Sequence, residues 1–191
     1  VDTQSVSWCI DHLAQPKQPF FMACGLHRPH TPWDVPKKYF DLYPLDTIQL
    51  PAVLTNDLAD VPPQGGDFAN PSGVHATILK QGLWKDRVRA YLATVSFADA
   101  QLGRLLDALH KSPYRDNTIV VFVGDNGWHL GEKEHWAKVT LWNQATRVPV
   151  GLAHAPPSSW SRCSKRTRAT PASRKESVTM SRSATRHAIC A

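Results

Sequence analysis

The chain lacks any run of about eighteen apolar residues. That length is needed to cross the hydrocarbon core of a bilayer, so no membrane-spanning helix is expected. It also lacks a Cys-x-x-Cys pair. Its four cysteines, Cys9, Cys24, Cys163 and Cys190, stand apart, which removes the common zinc and thiol-redox spacings. Cys24 lies in an apolar run and reads as a small core residue. There is no initiator Met, and Val1-Asp2-Thr3-Gln4 has neither the basic start nor the apolar segment of a signal peptide. The chain is therefore expected to begin inside a longer protein. No internal repeat is present. A basic excess is missing from most of the chain despite the net charge of +6: residues 1–150 hold 14 Lys+Arg against 15 Asp+Glu, and residues 151–191 hold 8 against 1. A high pI ordinarily points to nucleic acid. Here the body gives that no support, so neither a nucleic-acid nor a membrane partner is expected.

Against these absences stands one concentrated stretch, Thr118 to Glu132. It opens as the uninterrupted apolar, β-branched run Thr118-Ile119-Val120-Val121-Phe122-Val123, the pattern of a strand buried on both faces of a parallel sheet. It ends in Gly124-Asp125-Asn126-Gly127. Ligands in open α/β sheets bind outside the carboxyl ends of the strands. A carboxylate beside an amide carbonyl is a hard-oxygen pair suited to Ca²⁺ or Mg²⁺. The same four residues also read as an Asx-Gly turn closing a strand. The following Trp128-His129-Leu130-Gly131-Glu132-Lys133-Glu134-His135-Trp136-Ala137-Lys138 has no clean helical period and reads as a loop carrying polar groups over the sheet edge.

A second apolar run, Phe20 to Gly25, ends in Leu26-His27-Arg28-Pro29-His30-Thr31-Pro32-Trp33. If it runs parallel to the first, His27 and Asp125 emerge at one sheet edge. Two His and one Arg held by two prolines could receive an anion or bind a transition metal, and the nearby oxygen donors argue against zinc. Val6 to Leu13 reads as a short helix. Lys37 to Leu42 reads as a helical turn and Thr47 to Leu50 as a short strand within an otherwise irregular, proline-rich stretch, 34–76. Residues 84–111 give the clearest helix, with Val88, Tyr91, Leu92, Val95, Ala98, Leu102, Leu105, Leu106 and Leu109 at three- and four-residue steps. Asp99 and Gln101 read as solvated polar positions on it. Leu141 to Ala145 reads as a short helix before a strand starting Val148-Pro149-Val150. That strand is expected to lose its apolar continuation at Gly151, leaving an unpaired sheet edge.

Gly124-Asp125-Asn126-Gly127-Trp128-His129-Leu130-Gly131-Glu132, His135-Trp136-Ala137-Lys138 and Ala145-Thr146-Arg147-Val148-Pro149 together resemble the later half of a type I sulfatase, nearest the iduronate-2-sulfatase-like subgroup. The resemblance covers about residues 17–150. It implies an α/β fold, part of an alkaline-phosphatase-like sandwich with a mostly parallel central sheet flanked by helices. It implies hydrolysis of a sulfate ester, such as a sulfated polysaccharide, with Ca²⁺ or Mg²⁺ and a formylglycine nucleophile, in a protein that is periplasmic or secreted. Residue by residue it implies Asp125 and Asn126 as metal ligands and His27 and Lys138 as catalytic contacts to the sulfate. His30 and Trp128 stand as substrate contacts, and Arg28 as a further one. The formylglycine motif, Cys/Ser-x-Pro-x-Arg, is absent from the chain, as are the N-terminal acidic metal ligands. The chain is therefore expected to be inactive alone. A phosphonate or phosphodiester hydrolase of the same superfamily, and a non-catalytic truncated product, are the alternatives. The expected organisation is a partial catalytic domain, 1–150, followed by a basic Ser/Arg-rich tail, 151–191, that is disordered or the product of a shifted reading frame.

Overall fold

A computed structural model describes residues 1–15, 19–69 and 73–154. The tail expectation beyond His154 lies outside the described residues. Element order is α1 (Asp2–Leu13), α2 (Lys37–Phe40), a 3₁₀ turn (Leu45–Thr47), α3 (Pro63–Ala69), α4 (Val74–Lys80), α5 (Trp84–Lys111), β1 (Ile119–Val123), β2 (His129–Leu130), a 3₁₀ turn (Glu132–Glu134), β3 (Trp136–Ala137), α6 (Asn143–Thr146) and β4 (Val150–His154).

The long helix α5 is the scaffold. Its three- and four-residue apolar steps form one stripe, and Val88 and Leu109 on it are buried. Removing either large side chain from water contributes about 2 kcal/mol. α1 packs on α5 through Val6, Cys9 and Leu13, spaced to share one helical face, and Arg104 Nη2 donates to Ser7 Oγ (2.9 Å) across the seam. α2 packs on the same helix: Tyr39 meets Phe97 edge-on (5.4 Å between centroids), and the Arg89 guanidinium donates to the Phe40 carbonyl. Gln101 is buried rather than solvated, because its Oε1 accepts from Arg104 Nη1 at 2.7 Å. The expected strand at 47–50 is instead the end of a 3₁₀ turn running into extended chain.

The α/β class stands, but the strand pairing differs from the sequence expectation. β1 pairs antiparallel with β4, from Ile119 opposite His154 to Val123 opposite Val150, and β2 pairs antiparallel with β3. Phe20–Gly25 forms no strand and joins no ladder among the described residues. It lies along α1 and is tied at its far end by the Asp2 carboxylate, which accepts from the backbone N–H groups of His27 (2.9 Å) and Arg28 (3.0 Å). Nor is β1 buried on both faces. Ile119, Val121 and Val123 are exposed and share a face with exposed Val150 and Leu152, since a two-stranded ladder covers only one side. β4 does not stop at Val150; it continues through Gly151 to His154 and gives β1 its partner.

Candidate active site

The turn after β1 is built by its glycines. Gly124 donates its N–H to the Pro149 carbonyl (3.0 Å), and Gly127 donates to the Ala145 carbonyl (2.8 Å). A Cβ on Gly127 would lie 1.9 Å from the Gln144 carbonyl oxygen, so only glycine allows this approach. Asp125 and Asn126 are thus held between two backbone anchors at the carboxyl end of β1. Asp125 is exposed and Asn126 half-buried. Neither side chain is engaged in a hydrogen bond or ion pair among the described residues.

Trp128 carries the turn to the second loop. Its ring stands edge-on to His30 (5.9 Å), and His30 lies 4.8 Å from His27. Trp33 and Tyr91 complete the cluster, each 6.2 Å from Trp128. Tyr91 comes from α5, and its phenol titrates above the ordinary range because it is buried and lies near the Glu132 charge. The two loops therefore meet without any parallel strand pair among the described residues. What joins them is an aromatic cluster seated on α5, with Asp2 fixing the backbone at His27. Asp2, Trp33 and Tyr91 were not singled out from the sequence. The only available signal was Tyr91's place on the buried stripe of α5. Two buried donors in this region, Arg28 Nε and Trp128 Nε1, have no hydrogen-bond acceptor among the described residues; Arg28 Nη2 donates to the Asp34 carbonyl at 3.3 Å. His30 Nδ1 donates to the Thr31 carbonyl at 2.7 Å.

The hairpin that follows is locked. His129 is fully buried: Nδ1 donates to the Glu132 carbonyl (3.0 Å), and Nε2 accepts from the Thr140 hydroxyl (2.8 Å). Burial pushes this imidazole below its ordinary value. The Glu132 carboxylate accepts from the Leu130 N–H (2.7 Å), and Trp84 Nε1 donates to the Leu130 carbonyl (2.7 Å). Lys133 reaches back to an ion pair with Asp57 (3.2 Å) and Asp60 (3.3 Å). The Lys133 backbone N–H, first, then its ammonium hold the Asp57 carboxyl below the usual range. Burial works against the Lys133 ammonium, but the two carboxylates outweigh it and raise its value. The His135 ring nitrogens face the carbonyls of Ala69 (2.7 Å) and Lys138 (2.9 Å), and Trp136 Nε1 donates to His75 Nδ1 (3.0 Å). Lys138 is half-buried and bracketed by Ala137 (φ 75°) and Val139 (φ 76°), a left-handed backbone that a β-branched residue rarely adopts. Its ammonium makes no hydrogen bond or ion pair among the described residues.

The donor chemistry at Asp125 and Asn126 fits a hard cation. The count does not complete one, because no group of three or more metal-ligating side chains gathers among the described residues, whereas Ca²⁺ takes six to eight oxygens.

The sulfatase family model matches residues 2–171. A sulfatase of Formosa agariphila is 47% identical over 155 residues, spanning 80% of this chain and 31% of that protein. Iduronate 2-sulfatase of Mus musculus is 35% identical over 164 residues, spanning 79% of this chain and 30% of its own length. A solved protein in complex with its substrate D-glucosamine-2-N,6-O-disulfate aligns with a TM-score of 0.62 at 19% identity, over 81% of this chain and 43% of its own; that likeness carries the α/β fold. The chain spans about a third of the length of the curated relatives it matches.

Proposed function

The chain belongs to the sulfatase family, and from that premise we propose that it supplies the cation-and-sulfate side of a sulfuric ester hydrolase site. The observation that carries the reading is the convergence of the His27–Trp33 loop with the Gly124–Trp128 turn through the His30–Trp128 contact. Asp125 and Asn126 would hold part of the coordination sphere of a divalent cation, Ca²⁺ in our reading. When bound, the cation offsets charge on sulfuryl oxygens. His27 would donate a hydrogen bond to the sulfate and a proton to the departing alcohol. Lys138 would add a point charge that needs no bidentate geometry. Its ammonium is bound to no neighbour among the described residues, which leaves its donors free for an anion. His30 and Trp128 would form a wall against the substrate. A sulfated carbohydrate of the iduronate-2-sulfatase type is the substrate class, in keeping with the names of the relatives.

The chain carries no Cys/Ser-x-Pro-x-Arg nucleophile motif. Oxyanion-stabilising groups without a nucleophile leave only a small residue of catalysis, so the purified chain should not turn over a chromogenic aryl sulfate. Fused to a nucleophile region from a relative, it should gain turnover that His27→Ala abolishes. Enzyme-like rates from the chain alone, or a fusion indifferent to His27→Ala, would remove this reading.

A further inference from the structure

A different part of the molecule carries an independent inference. α1 and the segment ending at His27 lie side by side and run in opposite directions. Asp2, at the start of α1, holds the backbone of His27 and Arg28. Seven residues along the helix, about 10 Å at the usual rise, comes Cys9. Three residues back from His27 along the other segment, a reach of at most about 10 Å, comes Cys24. The Asp2 tie and the cleft that Trp8 and His12 share with Ala23 thus bracket Cys9 and Cys24, and the two side chains interact electrostatically. Further along, Trp8, His12 and Gln15 line one cleft with Phe20, Phe21, Met22 and Ala23, so the alignment persists past the cysteines. Both thiols are free; Cys9 is buried and Cys24 partly open to solvent.

We propose that Cys9 and Cys24 form a disulfide, a modification site that staples α1 to the segment presenting His27. The oxidant is a small-molecule disulfide such as oxidised glutathione. The Cys24 thiolate attacks one of its sulfurs, displacing one glutathione thiolate and leaving a mixed disulfide on Cys24. The Cys9 thiolate then attacks the Cys24 sulfur and expels the second glutathione. Two thiols are oxidised, one glutathione disulfide is reduced to two thiols, and both protons leave with them. The Cys24 thiol is pushed up to about 11, chiefly by burial and then by Cys9. Little thiolate is therefore present at neutral pH, and oxidation should be slow and accelerate as pH rises.

The test uses the full chain and a Cys163→Ser/Cys190→Ser variant. Each is equilibrated with oxidised glutathione at pH 8.5, alkylated and read by peptide mass spectrometry and thermal melting. A peptide pair linked through Cys9 and Cys24 is expected in both proteins. Closure of a loop of about 15 residues should raise the melting temperature by roughly 5 to 10 °C, reversed by dithiothreitol and absent in Cys24→Val. Full alkylation of both thiols after equilibration would overturn the proposal. So would bonding of either to Cys163 or Cys190, or a link that lowers the melting temperature.

Discussion

The turn after β1 and the hairpin from His129 to Lys138 are adjacent in sequence and equally polar, yet they hold their polar groups in opposite ways. In the hairpin, His129, Glu132, Lys133 and His135 all spend their side chains on neighbours. In the turn, the backbone is anchored by Gly124 and Gly127 while the Asp125 and Asn126 side chains have no partners among the described residues. Lys138, at the hairpin's end, sides with the turn. The lesson is that density of His and charge marks a region, but satisfaction separates scaffold from site. Bonded groups fix shape, and groups held rigidly without partners are available to a ligand.

The comparison can be broken first at Lys138. In a sulfatase carrying this segment with a nucleophile region, Lys138→Ala should lower turnover by ~10²–10³ with little change in melting temperature. Lys133→Ala should show the reverse, losing about 1–3 kcal/mol of stability and little intrinsic turnover. If steady-state kinetics and melts show the two lysines behaving alike, the division between site and scaffold is lost. Next in size is Gly127→Ala. Its Cβ cannot coexist with the Gln144 carbonyl at 1.9 Å, so denaturant unfolding should show a loss of about 3 kcal/mol; a neutral result would mean the turn is not anchored as described.

The pH dependence of stability sharpens the hairpin side. Burial depresses both His129 and His75 below the ordinary 6.5. The unfolded chain therefore takes up protons before the folded one as pH falls. Stability from these two sites is complete above about pH 6.5 and is lost as pH drops toward the folded values. Melting temperature should fall between pH 7 and 5, and less steeply in His129→Gln; an identical slope would clear His129 of the effect. The smallest effect is expected at Lys37, whose pair with Asp41 is a surface i, i+4 contact with the lysine 86% exposed. Lys37→Ala should change stability by less than about 0.5 kcal/mol, and a larger loss would show that exposure is a poor guide here.

Much of this was legible in the sequence. The apolar period of 84–111 matches α5, the β-branched run matches β1, and the helical turn at Lys37 is present. The strand partner of β1 was not legible. Phe20–Gly25 has the composition of a buried strand, but α1 lies along it and Asp2 binds its end, a long-range choice that composition does not encode. α3 has a proline and two glycines that hide its period, and α4, seven residues long, is too short to show one. The loops that carry His27 and His30 and that carry Asp125, Asn126 and Trp128 stood out because strand ends and clustered polar residues leave local signals, and the structure brings His30 and Trp128 together. The scaffold roles of Asp2, Tyr91, Asp57 and His75 depend on partners 25 to 76 residues away, and nothing local announces them.

The most direct test of the central claim is Ca²⁺ binding at the turn. It uses a sulfatase carrying this segment with a nucleophile region, compared with the same protein bearing Asp125→Ala and Asn126→Ala. The account predicts that Ca²⁺ raises the melting temperature of the first and leaves that of the second unchanged, while the two melt alike without Ca²⁺. An undiminished Ca²⁺-dependent rise in the double variant would contradict it.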